Sequence, residues 1–291
     1  MTSRLFFLSV PLLLGGCSDS GYLPTVAFDR IDLQAISWED VDANFVFSVR
    51  NPNPLTIDLA RFDYDLSFSG VHWVSGDNPD GLVLAASGSS EWALPMHIVF
   101  QELYDLVQAT KGEDTIPFEI AGSFGFDTSI GAIDLPYRAD GGFPALRTPD
   151  VDYKALRVTD VGVTTADLAL DLGVVNDQGS NLWFKDFDYD VDLSDFDIGS
   201  GEVTDLGQAL PATTTTLTLP FTVDLLESGM AVLDILLDDD QADLDLRAST
   251  DVDTPFGIVP LSIDEHGNVS IERPQAPSLV GSDGEDPHGL R

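Results

Sequence analysis

From Asn44 to Arg50 the side chains alternate, with Phe45, Phe47 and Val49 on one side and Val46, Ser48 and Arg50 on the other. That period of two is the signature of a half-buried β-strand. Asn51-Pro52-Asn53-Pro54 stops the strand, because each proline lacks a donor N–H and fixes φ, while the asparagines can close Asx-turns. A second strand follows, with Phe62, Tyr64, Leu66 and Phe68 on one face and Asp63, Asp65 and Ser67 on the other. Further alternation runs through Trp92, Leu94, Met96 and Ile98, then Phe118, Ile120, Phe124 and Phe126, then Ile133, Leu135 and Tyr137. Only Gln101 to Thr110 departs from it. Leu103, Leu106 and Val107 fall at helical spacing there and predict a short helix with one buried stripe.

The same layout returns in the second half. At an offset of 125, Pro24 matches Pro149, Phe28 matches Tyr153, Asn51 matches Asn176, and Phe62 to Asp65 match Phe187 to Asp190. After one inserted residue, Asp127-Thr128 matches Asp253-Thr254 and Gly141 matches Gly267. Matches at dispersed positions predict two copies of a whole domain, residues 22–144 and 148–272, joined at Asp140 to Thr148. In the second copy Leu226, Met230, Leu233 and Leu237 predict a clearer helical stripe, weakened by Gly229. Its turn reads Asn176-Asp177-Gln178-Gly179, so the prolines are gone. Many short strands with one brief helix per copy predict an all-β chain of two antiparallel β-sandwiches, with a closed eight-stranded barrel as the alternative. Residues 273–291 have no apolar period and read as a disordered acidic tail.

Length and charge agree with this. At 291 residues the chain is long enough for two cores. The 13 Lys+Arg against 50 Asp+Glu give a formal net charge of −37. Such a balance excludes nucleic acid as a partner and disfavours lying flat on an anionic membrane. Cations and basic proteins remain compatible with it.

The N-terminus supplies an address. Leu5 to Leu14 is a short apolar core, too short to span a bilayer, and it ends in Leu14-Gly15-Gly16-Cys17. This resembles the lipobox of a bacterial lipoprotein. The resemblance implies cleavage before Cys17, lipid attachment at its thiol, and retention at the cell envelope, with Ser18 favouring the outer membrane facing the periplasm. Cys17 is the only cysteine, so no disulfide competes for it.

The stretch around Asn51 also resembles a family. The strand, the Asn51-Pro52-Asn53 turn, the aromatic-Asp-Tyr64 strand, Gly70, Gly88 and the Pro95 strand are similar to the water-stress-and-hypersensitive-response domain of type 2 late-embryogenesis-abundant proteins. Asn176 and Tyr189 are the matching positions in the second copy. The resemblance implies an immunoglobulin- or fibronectin-like sandwich, a structural role for these residues, no catalysis and an association with desiccation and other stress.

Candidate chemistry is sparse. His72, His97, His266 and His288 share no metal-type spacing, and nucleophile-elbow, P-loop and zincin motifs are absent. Asp186, Asp188, Asp190 and Asp192 alternate with apolar residues as in a solvated strand face. Asp238, Asp239, Asp240 and Asp243 are a weak candidate for a hard cation such as Ca²⁺, although the glycine and terminal glutamate of an EF-hand loop are missing. The sequence therefore predicts a non-enzymatic protein without a cofactor, anchored to a membrane by its lipid. Two functions compete: protection of envelope components in drying or salt, and specific binding as an adaptor to envelope protein partners.

Overall fold

The computed structural model describes residues 23–274, apart from 78–81, 108–111, 129–130 and 195. Cys17, His288 and residues 275–291 therefore lie outside the described residues. The first half forms β1 (Thr25–Ile36), β2 (Asp40–Arg50), β3 (Ile57–Phe68), β4 (Val71–Asp77), β5 (Leu82–Leu84), β6 (Ser89–Val99), α1 (Phe100–Val107), β7 (Thr115–Thr128) and β8 (Gly131–Pro144). One sheet has the order β1-β2-β6 and the other β4-β3-β7-β8, with β5 also on β3, all antiparallel. This is a fibronectin-like sandwich.

The second half forms β9 (Asp150–Val161), β10 (Thr165–Asn176), β11 (Leu182–Leu193), β12 (Phe196–Ala209), β13 (Thr213–Asp224), α2 (Leu225–Ser228), α3 (Met230–Asp238), β14 (Gln241–Thr254) and β15 (Gly257–Glu272). β9 and β11 begin 125 residues after β1 and β3, while β14 and β15 begin 126 after β7 and β8. Here the two sheets join: Ile271 and Glu272 of β15 pair in parallel with Leu156 and Arg157 of β9. The order is β12-β11-β14-β15-β9-β10-β13. β12 and β13 end that order without pairing to each other, so the sandwich stops short of a closed barrel.

Burial follows the sequence period. β3 and β11 share one pattern, with Ile57, Leu59, Phe62, Leu66 and Phe68 buried in the first and Leu182, Phe184, Phe187, Val191 and Leu193 in the second. The fillings differ. The first core is a web of aromatic rings, with Phe62 in contact with Phe47, Tyr64, Trp92, Phe124 and Tyr137. The second core is mostly Leu, Val and Ile. Pro95 and Pro220 sit on β6 and β13, each at the end of its sheet order, where a missing N–H costs no ladder bond and discourages stray pairing. Ser69 and Gly70 both have positive φ, 47° and 78°, which builds the tight β3–β4 hairpin turn.

Two expectations need correction. The joint is shorter than Asp140 to Thr148, because β8 continues to Pro144 with Phe143 fully buried. Only Ala145 to Pro149 connect the sandwiches. The helical stripe of the second copy is also different: Leu226 is 75% exposed and Leu237 47%, while Leu225, Val232 and Leu236 are buried. Gly229, at φ 87°, breaks the helix into α2 and α3, so the two pieces do not share one helical phase.

One ion pair bridges β9 and β10 under partial cover. The Arg157 guanidinium donates to both Asp171 oxygens at 2.6 and 2.8 Å, and Thr218 Oγ1 donates to Oδ1 at 2.7 Å. Arg157 first, then the Thr218 hydroxyl, holds the Asp171 carboxyl below its usual value. A lowered folded pKa adds stability above the unfolded carboxylate pKa of about 3.9 and loses it as pH falls through the folded value. Asp171→Asn is therefore expected to flatten the acid limb of stability against pH. An unchanged limb in urea titrations from pH 6 to 2 would show that the pair contributes nothing.

Candidate functional site

Asn51 directly follows β2 and is completely buried. Its Oδ1 accepts the N–H of Asn53 at 2.9 Å, closing an Asx-turn. Its Nδ2 donates to Leu55 O at 2.9 Å, Ala85 O at 3.0 Å and Leu84 O at 3.4 Å, tying the turn to the end of β5. Asn176 repeats the device: Oδ1 accepts Gln178 N at 2.8 Å, and Nδ2 donates to Ser180 O at 2.8 Å and Ala209 O at 3.1 Å. Ala209 stands 125 residues after Leu84. The turn thus survives duplication through its asparagine, and the prolines are an addition on top of it. Pro52 and Asn53 of the first turn are half-buried, and Leu55 beyond them is 60% exposed.

Tyr64 and Tyr189 have a different role. Tyr64 pairs across β3–β4 with Gly76, and Tyr189 across β11–β12 with Gly201. Each ring lies over its glycine, so that a Cβ on Gly76 would meet Tyr64 Oη at 2.7 Å and one on Gly201 would meet Tyr189 Oη at 2.9 Å. The ring covers the backbone that glycine exposes. Burial raises the Tyr189 phenol pKa.

The prominent groups gathered at one place are in the seam between the sandwiches. The second turn, Asn176 to Ser180, seats against the end of the first sandwich. Gly112 N donates to Asp177 O at 2.9 Å, and Asp114 Oδ1 accepts from Gly179 N at 2.9 Å and Ser180 Oγ at 3.2 Å. Gln178 is fully buried and its Nε2 donates to Arg147 O at 3.0 Å. Beside it, Trp38 Nε1 donates to Pro260 O at 3.0 Å, and Phe256 and Val259 of the second sandwich pack into the first core. Arg147 lies over the Tyr104 ring, 4.0 Å from its centre, and the Tyr104 hydroxyl donates to Leu146 O.

The acidic candidates are spread out rather than gathered. The Asp240 carboxylate faces Arg273 at 3.4 Å, and Arg273 also donates to Leu236 O and Asp239 O. Asp243 Oδ1 accepts from Asn268 Nδ2 at 2.8 Å. Among the described residues no three His, Cys, Asp or Glu side chains converge as a metal site, so Asp238, Asp239, Asp240 and Asp243 do not form the cation loop the sequence raised. Arg273, expected in the tail, is instead fixed across the end of α3. Asp188, Asp190 and Asp192 project from β11 opposite Phe187 and Val191, and Arg247 bridges Asp190 at 3.3 Å and Asp192 at 2.6 Å. Asp186 takes a positive φ of 48° at the bulge in the β11–β14 pairing. The three described histidines are surface groups beside carboxylates: His72 with Asp65, His97 with Asp42 and His266 with Asp245.

Asp114, Gln178 and the Tyr–Gly pairs were missed by sequence reasoning. Gly76 and Gly201 at the repeat offset were a usable signal. Asp114 and Gln178 left none, because their partners lie 65 and 31 positions away.

Fold and site together define a class: a tandem β-sandwich protein whose distinctive residues build turns and a joint. Comparison with known proteins narrows it. Residues 46–141 match the profile of the late embryogenesis abundant protein family. A desiccation-related protein of Arabidopsis thaliana is 24% identical over 127 residues, covering 43% of this chain and 76% of that protein. The solution structure of a late embryogenesis abundant protein, At2g46140.1, is 17% identical, with a TM-score of 0.34 over 43% of this chain and 72% of its own. A crystal structure of a protein from Archaeoglobus fulgidus is 8% identical, with a TM-score of 0.28 over 43% and 95%.

Proposed function

We propose that this is a non-enzymatic, lipid-anchored protein of the cell envelope that protects its neighbours during desiccation or osmotic stress. The observation that carries the reading is the match of residues 46–141 to the late embryogenesis abundant family, together with the desiccation-related relative. The charge of −37 supports it, since an acidic surface holds water and counter-ions and resists aggregation as solutes concentrate. In this reading Cys17 carries the lipid and places the tandem sandwiches at the outer membrane, facing the periplasm.

The purified protein should preserve the activity of an unrelated enzyme, and the contents of lipid vesicles, through drying and rehydration. No gain over an equal mass of serum albumin, with a deletion strain that dries as well as its parent, would end the protective reading. The anchor has its own test: Cys17→Ala is expected to move the protein from the membrane to the soluble fraction. Unchanged detergent partitioning would remove the anchor while leaving protection standing.

A second reading, a specific adaptor in an envelope complex, is favoured by one observation. Val163 is 96% exposed and Leu226 75% exposed at the end of the second sandwich remote from the seam, where the neighbouring residues are joined by a bond from Leu225 N to Thr164 O. Val163→Thr with Leu226→Gln should abolish a co-purifying envelope partner without reducing protection. Retention of that partner by the double variant would remove this reading.

A further inference from the structure

The two turns share their asparagine hub and differ at the next four residues: Pro52-Asn53-Pro54-Leu55 against Asp177-Gln178-Gly179-Ser180. Each of the four second-copy residues contacts the first sandwich or the segment that leaves it. Asp177 accepts from Gly112 N through its carbonyl, Gln178 reaches Arg147 O, and Gly179 N and Ser180 Oγ both donate to Asp114. Gly179 is needed for a second reason. A Cβ there would lie 2.7 Å from Gly112 O, closer than non-bonded atoms approach. The first-copy residues could not substitute. Pro54 has no N–H for a carboxylate and would place its ring against that carbonyl. Leu55 has no hydroxyl, and the Asn53 side chain is one methylene shorter than Gln178.

We propose that Asp177 to Ser180 is a docking key, specific for the end of the first sandwich at Gly112 and Asp114 together with Arg147 of the connecting segment, and that the two copies diverged at this turn for that purpose. The turn's own fold is set by Asn176, which leaves the four residues after it free to be chosen for what they touch. The matching end of the second sandwich keeps the carboxylate but engages it otherwise. Trp38, which reaches Pro260 across the seam, is matched by Val163 on the far end of the second sandwich, and Asp114 is matched by Asp240, which faces Arg273. The contacts of the key are made at the seam end of the first sandwich.

The test exchanges the key within the full chain. Gln178→Asn with Gly179→Pro gives the second turn residues that the first turn already accommodates around the same asparagine. Asp114→Ala removes the socket's carboxylate and leaves the turn untouched. Both variants should uncouple the sandwiches. Limited proteolysis between 145 and 149 should rise at least tenfold, and thermal unfolding by tryptophan emission, which is dominated by Trp38, Trp73 and Trp92 of the first sandwich, should separate from unfolding by far-ultraviolet circular dichroism. The reciprocal exchange, Pro52→Asp with Asn53→Gln and Pro54→Gly, should leave cleavage and coincidence as in the parent. Coincident transitions and unchanged cleavage in both seam variants overturn the proposal. Equal uncoupling by the reciprocal exchange also overturns it, since the turn would then act through its fold and not through its contacts.

Discussion

Replacing Asn51 or Asn176 by alanine is expected to destabilise the protein by about 3–5 kcal/mol in each case. The side chain of Asn51 satisfies one backbone N–H and three carbonyls at a point fully closed to water. Alanine removes their partner and admits no solvent in exchange, and each buried group left unpaired costs about 1–3 kcal/mol. The conservative change is no better. Asn176→Asp keeps the acceptor for Gln178 N but presents an oxygen to Ser180 O and Ala209 O, turning two bonds into repulsions in a dry site. Urea denaturation should therefore rank aspartate at least as destabilising as alanine at pH 7, with m-values unchanged. A loss below about 1 kcal/mol for both variants would mean that the turn is held by its neighbours and not by its hub.

The second large effect concerns the aromatic web. Phe62 is buried to 1% and meets five rings, with the Trp92 centroid 4.1 Å away. Phe62→Ala leaves a cavity that rigid rings cannot refill by changing rotamer, and about 3–5 kcal/mol is expected. Its counterpart Phe187 is equally buried, among aliphatic side chains that can move inward. Phe187→Ala should therefore fall at the lower end of that range. The two are separable optically, because Trp92 reports on the first core. Emission should shift in the native state of Phe62→Ala and stay constant in Phe187→Ala. The opposite order of destabilisation would refute the idea that ring rigidity governs the response.

The architecture was legible wherever a strand is wetted on one face, because period-two burial writes itself into the order of side chains. β3 and β11 could be read residue by residue for that reason. The helices were harder. A stripe through Leu226, Met230, Leu233 and Leu237 assumes one continuous helix, and the positive φ of Gly229 resets the phase. The Asn-Pro-Asn-Pro turn was conspicuous for its prolines, yet the asparagine carries the contacts, and burial of a polar side chain has no periodic trace. The seam was least legible. Asp114 and Gln178 are ordinary residues of a loop and a turn, and their meaning comes from groups that only the tertiary structure brings near. The acidic run Asp238 to Asp240 erred the other way: close in sequence, it is spread by the helix end and by Arg273.

Ala145 to Pro149 is a tether of five residues between Pro144 and Asp150. So short a connection presents the second turn to the first sandwich at an effective concentration on the order of 1 mM. A pair of separate molecules with a dissociation constant of about 0.1 mM would scarcely associate in dilute solution, yet the same contacts on this tether would be closed roughly nine-tenths of the time. The hydrogen bonds of the turn and the packing of Phe256 and Val259 therefore need little intrinsic affinity to keep the seam closed. Cleaving the tether would remove this local concentration and leave the seam to its own affinity.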